Sequence, residues 1–219
     1  MLRWQTMRSS KLRVAALAVG LVASSFVLGS GAELGAVPRA EASISTAATL
    51  EGLVNGSHVV ALAEPEESRT EWEGGRIVTL TRLHVVEKVS GEAPESVWVK
   101  TLGGMVGTIG QSVEGEPSFT KGVRSLVFLR RTTDKNAPDL HVVVSRAQGQ
   151  YPLALEKARW MIRAHSRAGT ILPPRENANT PSMVLPKVPA MARLQNRPVD
   201  EVLGEVRSVW SQLHAKKNP

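Results

Sequence analysis

No cysteine occurs among the 219 residues of this chain. Disulfides, thiolate metal sites and a cysteine nucleophile are thereby excluded, and packing alone must hold the core. Aromatic residues are also scarce, with one tyrosine, three phenylalanines and five tryptophans. Single-stranded nucleic acid is bound on aromatic platforms set among clustered cations. Here the platforms are few and the cations dispersed, so nucleic acid is not an expected partner. The chain has no H-E-x-x-H signature, and no two of its five histidines have metal-ligand spacing. Each histidine reads as a surface or edge residue, and neither a metal nor another cofactor is expected. A G-x-S-x-G nucleophile elbow is missing too. Its nearest approach is "GEPSF" around Ser118, which lacks the second glycine.

The excess of positive charge is smaller than it first looks. The chain carries 27 Lys/Arg and 20 Asp/Glu, a formal +7. Five of those bases and two of those acids lie in residues 1–42, leaving 22 and 18, a surplus of four.

That first segment has the three parts of a secretory signal. Arg3, Arg8, Lys11 and Arg13 form a basic start, and an uncharged apolar run extends from Val14 to about Leu28. Ala40-Glu41-Ala42 then offers small residues at the two positions a signal peptidase reads, so cleavage is expected before Ser43, with Ala32 the alternative site. The run falls short of the roughly 20 residues needed to span a bilayer. Residues 1–42 are thus read as a cleaved signal peptide, with no transmembrane segment after cleavage. The general secretory route then delivers the rest to the periplasm or the medium. Residues 43–219 are long enough for one domain with a core of its own.

The mature sequence reads as mainly β, an antiparallel barrel or sandwich of five to seven strands. A short helix around Leu50, Leu53 and Val54 comes first and stops at "NGS". Strands come next at "HVVALAE", at the long stretch Arg76–Val89, and at "SVWVKTL", "SLVFLRR" and "LHVVVS". Loops between them are too short for crossover helices, which rules out a parallel α/β sheet. Two apolar registers compete within 76–89, and a bulge near Arg82 would reconcile them. "SLVFLRR" is apolar throughout and should be central. Glu64, Glu66, Glu67, Glu71 and Glu73 suggest an acidic loop around Trp72. Trp98 faces opposite Val97 and Val99 and is assigned to the core.

Later segments are less regular. Residues 155–172 read as a hairpin with "RWMIRA" and "GTILP" flanking "HSRA", against a helix as the alternative. The six prolines between 173 and 198 suggest an extended arm. Residues 199–215 carry the stripe of an amphipathic helix, expected to dock on the barrel domain 43–172.

"TLGGMVGTIGQSVEGEPSF" has the density of glycine of a phosphate cradle. However, no lysine follows a glycine as in G-x-x-x-x-G-K-[ST], and β pattern rather than helix comes next. The glycines are therefore read as backbone corners.

The chain resembles a family of exported bacterial domains to which no enzymatic role is attached. The features that carry this are Trp72, the "G-x-I-V-T" strand at Gly75–Thr79, the "K-x-x-G" turn at Lys88–Gly91, Gly103-Gly104, and the run from Phe119 to Leu129. The resemblance covers roughly 46–152. More remotely, the order of elements is similar to netrin-like modules, including tissue metalloproteinase inhibitors, which are five-stranded OB-type barrels. Their mechanism uses an N-terminal cysteine, which this chain lacks, so only the barrel is implied.

The functional expectation is a binding module without catalysis, its partner another exported protein or an envelope component. Candidate contacts are Glu71, Trp72, Glu73, Met105 and Val106. Two alternatives stay open. One is an accessory or inhibitor of an exported metalloprotease. The other is a hydrolase whose site is assembled from distant residues such as Glu71, Glu73 and His84.

Overall fold

A computed structural model describes residues 44–133, 137, 139–166, 170–172 and 188–215. The expected signal peptide and its cleavage residues Ala40, Ala42 and Ser43 lie outside the described residues, as does the proline-rich stretch 173–187. No helix among the described residues is long and apolar enough to cross a membrane.

The fold is mainly β. It begins with β1 (Ile44–Thr46) and α1 (Leu50–Asn55), followed by β2 (Val59–Glu73), β3 (Arg76–Gly91) and β4 (Ser96–Leu102). Two short strands, β5 (Gly104–Val106) and β6 (Ile109–Gln111), precede β7 (Ser125–Arg131) and β8 (Leu140–Val143). A 3-10 turn at Arg146–Gly149 leads into β9 (Gln150–Glu156), β10 (Arg159–Ile162) and β11 (Thr170–Leu172). Two helices close the chain, α2 (Ala190–Leu194) and α3 (Val199–Ala215).

One sheet runs in the order β10–β9–β7–β2–β3–β4–β8, and β7 also pairs with β8. Every pairing in it is antiparallel except β4 with β8, which run parallel at Trp98–Leu140 and Val99–His141. β5 and β6 form a separate hairpin, and β1 pairs in parallel with β11.

β2 and β7 feed two hydrophobic clusters, because successive side chains in a strand point to opposite faces. Val60 and Leu62 of β2, with Leu126 and Phe128 of β7, pack against α1, α2 and α3. Val59, Ala61 and Ala63, with Val127 and Leu129, pack against Leu83, Val97, Val99 and Val143. β7 is therefore central, as its unbroken apolar run requires. The predicted face of α1 is buried at Leu50, Leu53 and Val54, and Thr49 caps the helix by accepting from the Gly52 N–H. α3 docks as expected, burying Val202, Leu203, Val206 and Val209 in the first cluster.

Several expectations are corrected. The acidic segment from Glu64 to Glu73 is not a loop but the outer half of β2, paired with β3 down to Glu73–Arg76. A β ladder needs only backbone groups, so glutamates on solvent-facing positions do not end it, and β3 supplies the partner. Near Arg82 the ladder does slip, but the extra residue is Glu66 on β2; β3 has its own slips, at Val86 and Val89. The late hairpin is β9–β10, turning at Lys157-Ala158, while "TIL" of β11 pairs with β1 rather than with "RWMI". The arm is not extended throughout, since its end forms α2, with Ala190 and Leu194 buried. Trp98 is half-buried outside the core, with the Arg69 guanidinium 5.1 Å above its ring.

Candidate functional site

One face of the β2–β3–β4 ribbon changes character along its length. Near the base it carries Leu83, Val97 and Val99, part of the second hydrophobic cluster. Farther out the cross-strand pairs become Ser68–Thr81, Thr70–Thr79 and Thr79–Thr101. This hydroxyl surface lines a cleft of about 510 Å³, bounded on its other side by Gly103, Gly104 and residues 110–113 and 116–119. Thr79 donates to the Gly103 carbonyl at 2.6 Å, and Ser68 and Thr81 hydroxyls lie 3.1 Å apart.

The glycine corner makes this lip possible. Gly103 and Gly104 have φ of 94° and 135°, values that side chains rarely tolerate. A Cβ on Gly104 would stand 2.5 Å from Thr79 Oγ1, and one on Gly103 would stand 2.7 Å from the Gln111 carbonyl oxygen. The chain crosses the ribbon closely enough for Gln111 Oε1 to accept from the Ile77 N–H at 2.7 Å. The corner leads into the β5–β6 hairpin, not into a helix.

Beyond the cleft the same face ends in an apolar tip. Trp72 shares it with Thr70 and Ile77, and the Thr70 hydroxyl donates to the Met105 carbonyl. Ile77 is fully buried there, yet Trp72 is 51% exposed, Met105 65% and Ile109 56%, with Val106 half-buried. The structure thus brings Trp72 to the hairpin that carries Met105 and Val106. Glu71 and Glu73 point the other way, with Arg69, and Glu73 pairs with Lys100 on that side. Ile109 was missed by sequence reasoning; its only signal was an apolar residue isolated between polar and glycine neighbours.

The hydrolase constellation is not assembled. Glu71 lies opposite Val78 and His84 opposite Glu64, so His84 stands about 20 Å farther along the ribbon at the usual rise per residue. Among the described residues no three His, Asp or Glu side chains converge as metal ligands would.

A different histidine does meet a serine. Ser118 lies on the cleft lip, and its hydroxyl is 3.2 Å from His165 Nε2. Ser118 N–H donates to Gln150 Oε1 at 3.1 Å and lies 3.3 Å from the same imidazole nitrogen, while Gln150 Nε2 donates to the Ser118 carbonyl at 2.9 Å. His165 and Gln150 are both buried. His141 is buried as well, so neither it nor His165 is the surface residue that the sequence suggested. Burial lowers the His141 pKa, the Arg131 and His58 charges lower it further, and the Asp139 carbonyl and carboxylate oppose them.

No protein-family model, curated protein or solved structure matches the chain.

Proposed function

We propose that the chain is an exported binding domain that docks another protein or an envelope component through the tip formed by Trp72, Met105, Val106 and Ile109. The observation that carries this reading is the clustering of three large exposed apolar side chains, Trp72, Met105 and Ile109, at one end of the ribbon. Burying an apolar side chain of this size is worth about 1.5–3 kcal/mol, so leaving three in water at one end favours a partner that covers them. Aromatic and methionine side chains are the residue types enriched at interface centres.

The pairing run β7–β2–β3–β4–β8, returning to β7, supports reading the sheet as an OB-like barrel with the β2–β3 ribbon projecting from it. Export rests on the N-terminal pattern. Sequencing the N-terminus of the protein recovered from the cell envelope or medium tests it, with Ser43 the expected first residue. The resemblance to exported bacterial domains is part of the same proposal.

The binding reading is tested by hydroxyl-radical footprinting of the exported protein with and without its native envelope extract. Oxidation of Trp72 and Met105 is expected to fall in the extract, while that of half-buried Trp98 stays unchanged. Trp72→Ala with Met105→Ala should abolish the retention of extract components while leaving the far-ultraviolet spectrum intact. Unchanged oxidation of both tip residues would overturn the reading.

A further inference from the structure

We propose that Ser118 is a nucleophile, activated by His165, that accepts acyl groups from neutral esters bound in the hydroxyl-lined cleft. The inference concerns the cleft and stands independently of the apolar tip.

The hydrogen bonds define the protons. A backbone amide can only donate, and the Ser118 N–H lies 3.3 Å from His165 Nε2. That contact assigns Nε2 as the unprotonated nitrogen of the neutral ring. The Ser118 hydroxyl, 3.2 Å from the same atom, then has one role towards it, which is to donate. This is the arrangement of a nucleophile and its general base. Gln150 holds the serine in place, because its amide engages both the N–H and the C=O of Ser118 and also approaches Ser125 Oγ at 3.4 Å. A fully buried glutamine spent on one exposed loop residue fixes that residue's backbone. The imidazole is buried on the protein side and Ser118 is open to the cleft.

The cleft indicates the substrate class. Among the described residues Glu116 is the sole charged one lining it, and its carboxylate is held by Arg146 at 2.6 Å and by the Leu102 N–H at 3.0 Å. No cation among those lining residues meets a phosphate or carboxylate. Hydroxyls of Ser68, Thr79, Thr81 and Thr101 suit a neutral, oxygen-rich acyl compound.

Acyl transfer here balances in atoms and electrons. Ser118 Oγ bonds to the acyl carbon as its proton passes to His165 Nε2 and the carbonyl electron pair moves onto oxygen. Collapse restores C=O and breaks the ester C–O bond, and the leaving alkoxide takes the proton from Nε2. Water then attacks the acyl-serine, giving a proton to Nε2 that returns to Oγ. Ester and water become acid and alcohol.

The test is labelling with a fluorophosphonate, read by intact mass and peptide mapping. One adduct is expected, on Ser118. It should be absent in Ser118→Ala and should form about 100-fold more slowly or worse in His165→Gln, the usual weight of a general base. Ser208→Ala, on the exposed face of α3, should label as the wild type does. Absence of an adduct on the wild-type protein overturns the proposal without reference to any variant. So does a Ser118 adduct that forms at the same rate in a folded His165→Gln protein.

Discussion

Tyr151 and His141 show how single buried polar groups load this core. Tyr151 packs edge-on to Phe128, with ring centroids 6.2 Å apart, and burial pushes its pKa well up. Its hydroxyl has no hydrogen-bond partner among the described residues. An unpaired buried hydroxyl costs free energy and adds nothing beyond what the ring supplies. Tyr151→Phe is therefore expected to leave stability unchanged or raise it by up to about 1 kcal/mol in urea unfolding; a clear loss would contradict the geometry. His141 works through pH. Its folded pKa lies below the ordinary 6.5, so below that pH the unfolded chain takes up a proton that the folded protein resists. Stability should fall as pH drops from about 6.5 towards the depressed folded value. His141→Asn, which can still donate to the Asp139 carbonyl, should flatten that part of a urea-midpoint profile, and an unchanged slope would refute this account.

Among the elements, the β9–β10 hairpin turns on a pair poorly matched to its geometry. Lys157 and Ala158 have φ of 46° and 63°, the signature of a tight two-residue hairpin turn that favours Asn-Gly. Lys157→Asn with Ala158→Gly should raise stability by about 1 kcal/mol, since both residues then accept positive φ at little cost. Measured melting of the double variant decides it. The terminal helices are tied by a second device. Arg193 of α2 reaches Glu51 of α1 and Glu205 of α3, and Arg197 also bonds Glu205. Partial burial works to raise the Glu205 pKa, but the hydrogen bonds from Arg197 and Arg193 outweigh it and the pKa is lowered. The stabilisation is present above the carboxylate's unfolded value and lost as pH falls through the lowered one. Glu205→Gln should cost about 1–2 kcal/mol at neutral pH and nearly nothing in acid, as read by urea titration at the two pH values.

For the whole molecule, the C-terminal helices complete the core rather than decorate it. Leu194, Val202, Leu203, Val206 and Val209 belong to the same cluster as Phe128 and Tyr151. Leu203→Ala should cost about 2–5 kcal/mol. A chain ended before residue 188 should lose cooperative thermal unfolding, because one face of β2 and β7 would then meet water. Retention of a sharp transition would show that the sheet is self-sufficient. The tip substitutions Trp72→Ala and Met105→Ala should each change stability by no more than about 0.5 kcal/mol, since exposed side chains lose little on truncation.

Periodicity was enough to locate β3, β4, β7 and β8, the inner half of β2, the buried face of α1 and the stripe of α3, because each is a local pattern imprinted by burial. The glycine corner was equally legible, since positive φ at consecutive positions demands that residue type. Neither the continuation of β2 through its glutamates nor the β1–β11 pairing could be read locally, because a ladder partner comes from a distant segment. The Ser118–His165 contact depends on β7 and β9 lying side by side, which sets residues 47 apart in sequence against one another. Spacing along a chain cannot encode such a meeting, because hydrogen bonds between loops depend on distance in space, and only the pairing and packing of the strands set that distance.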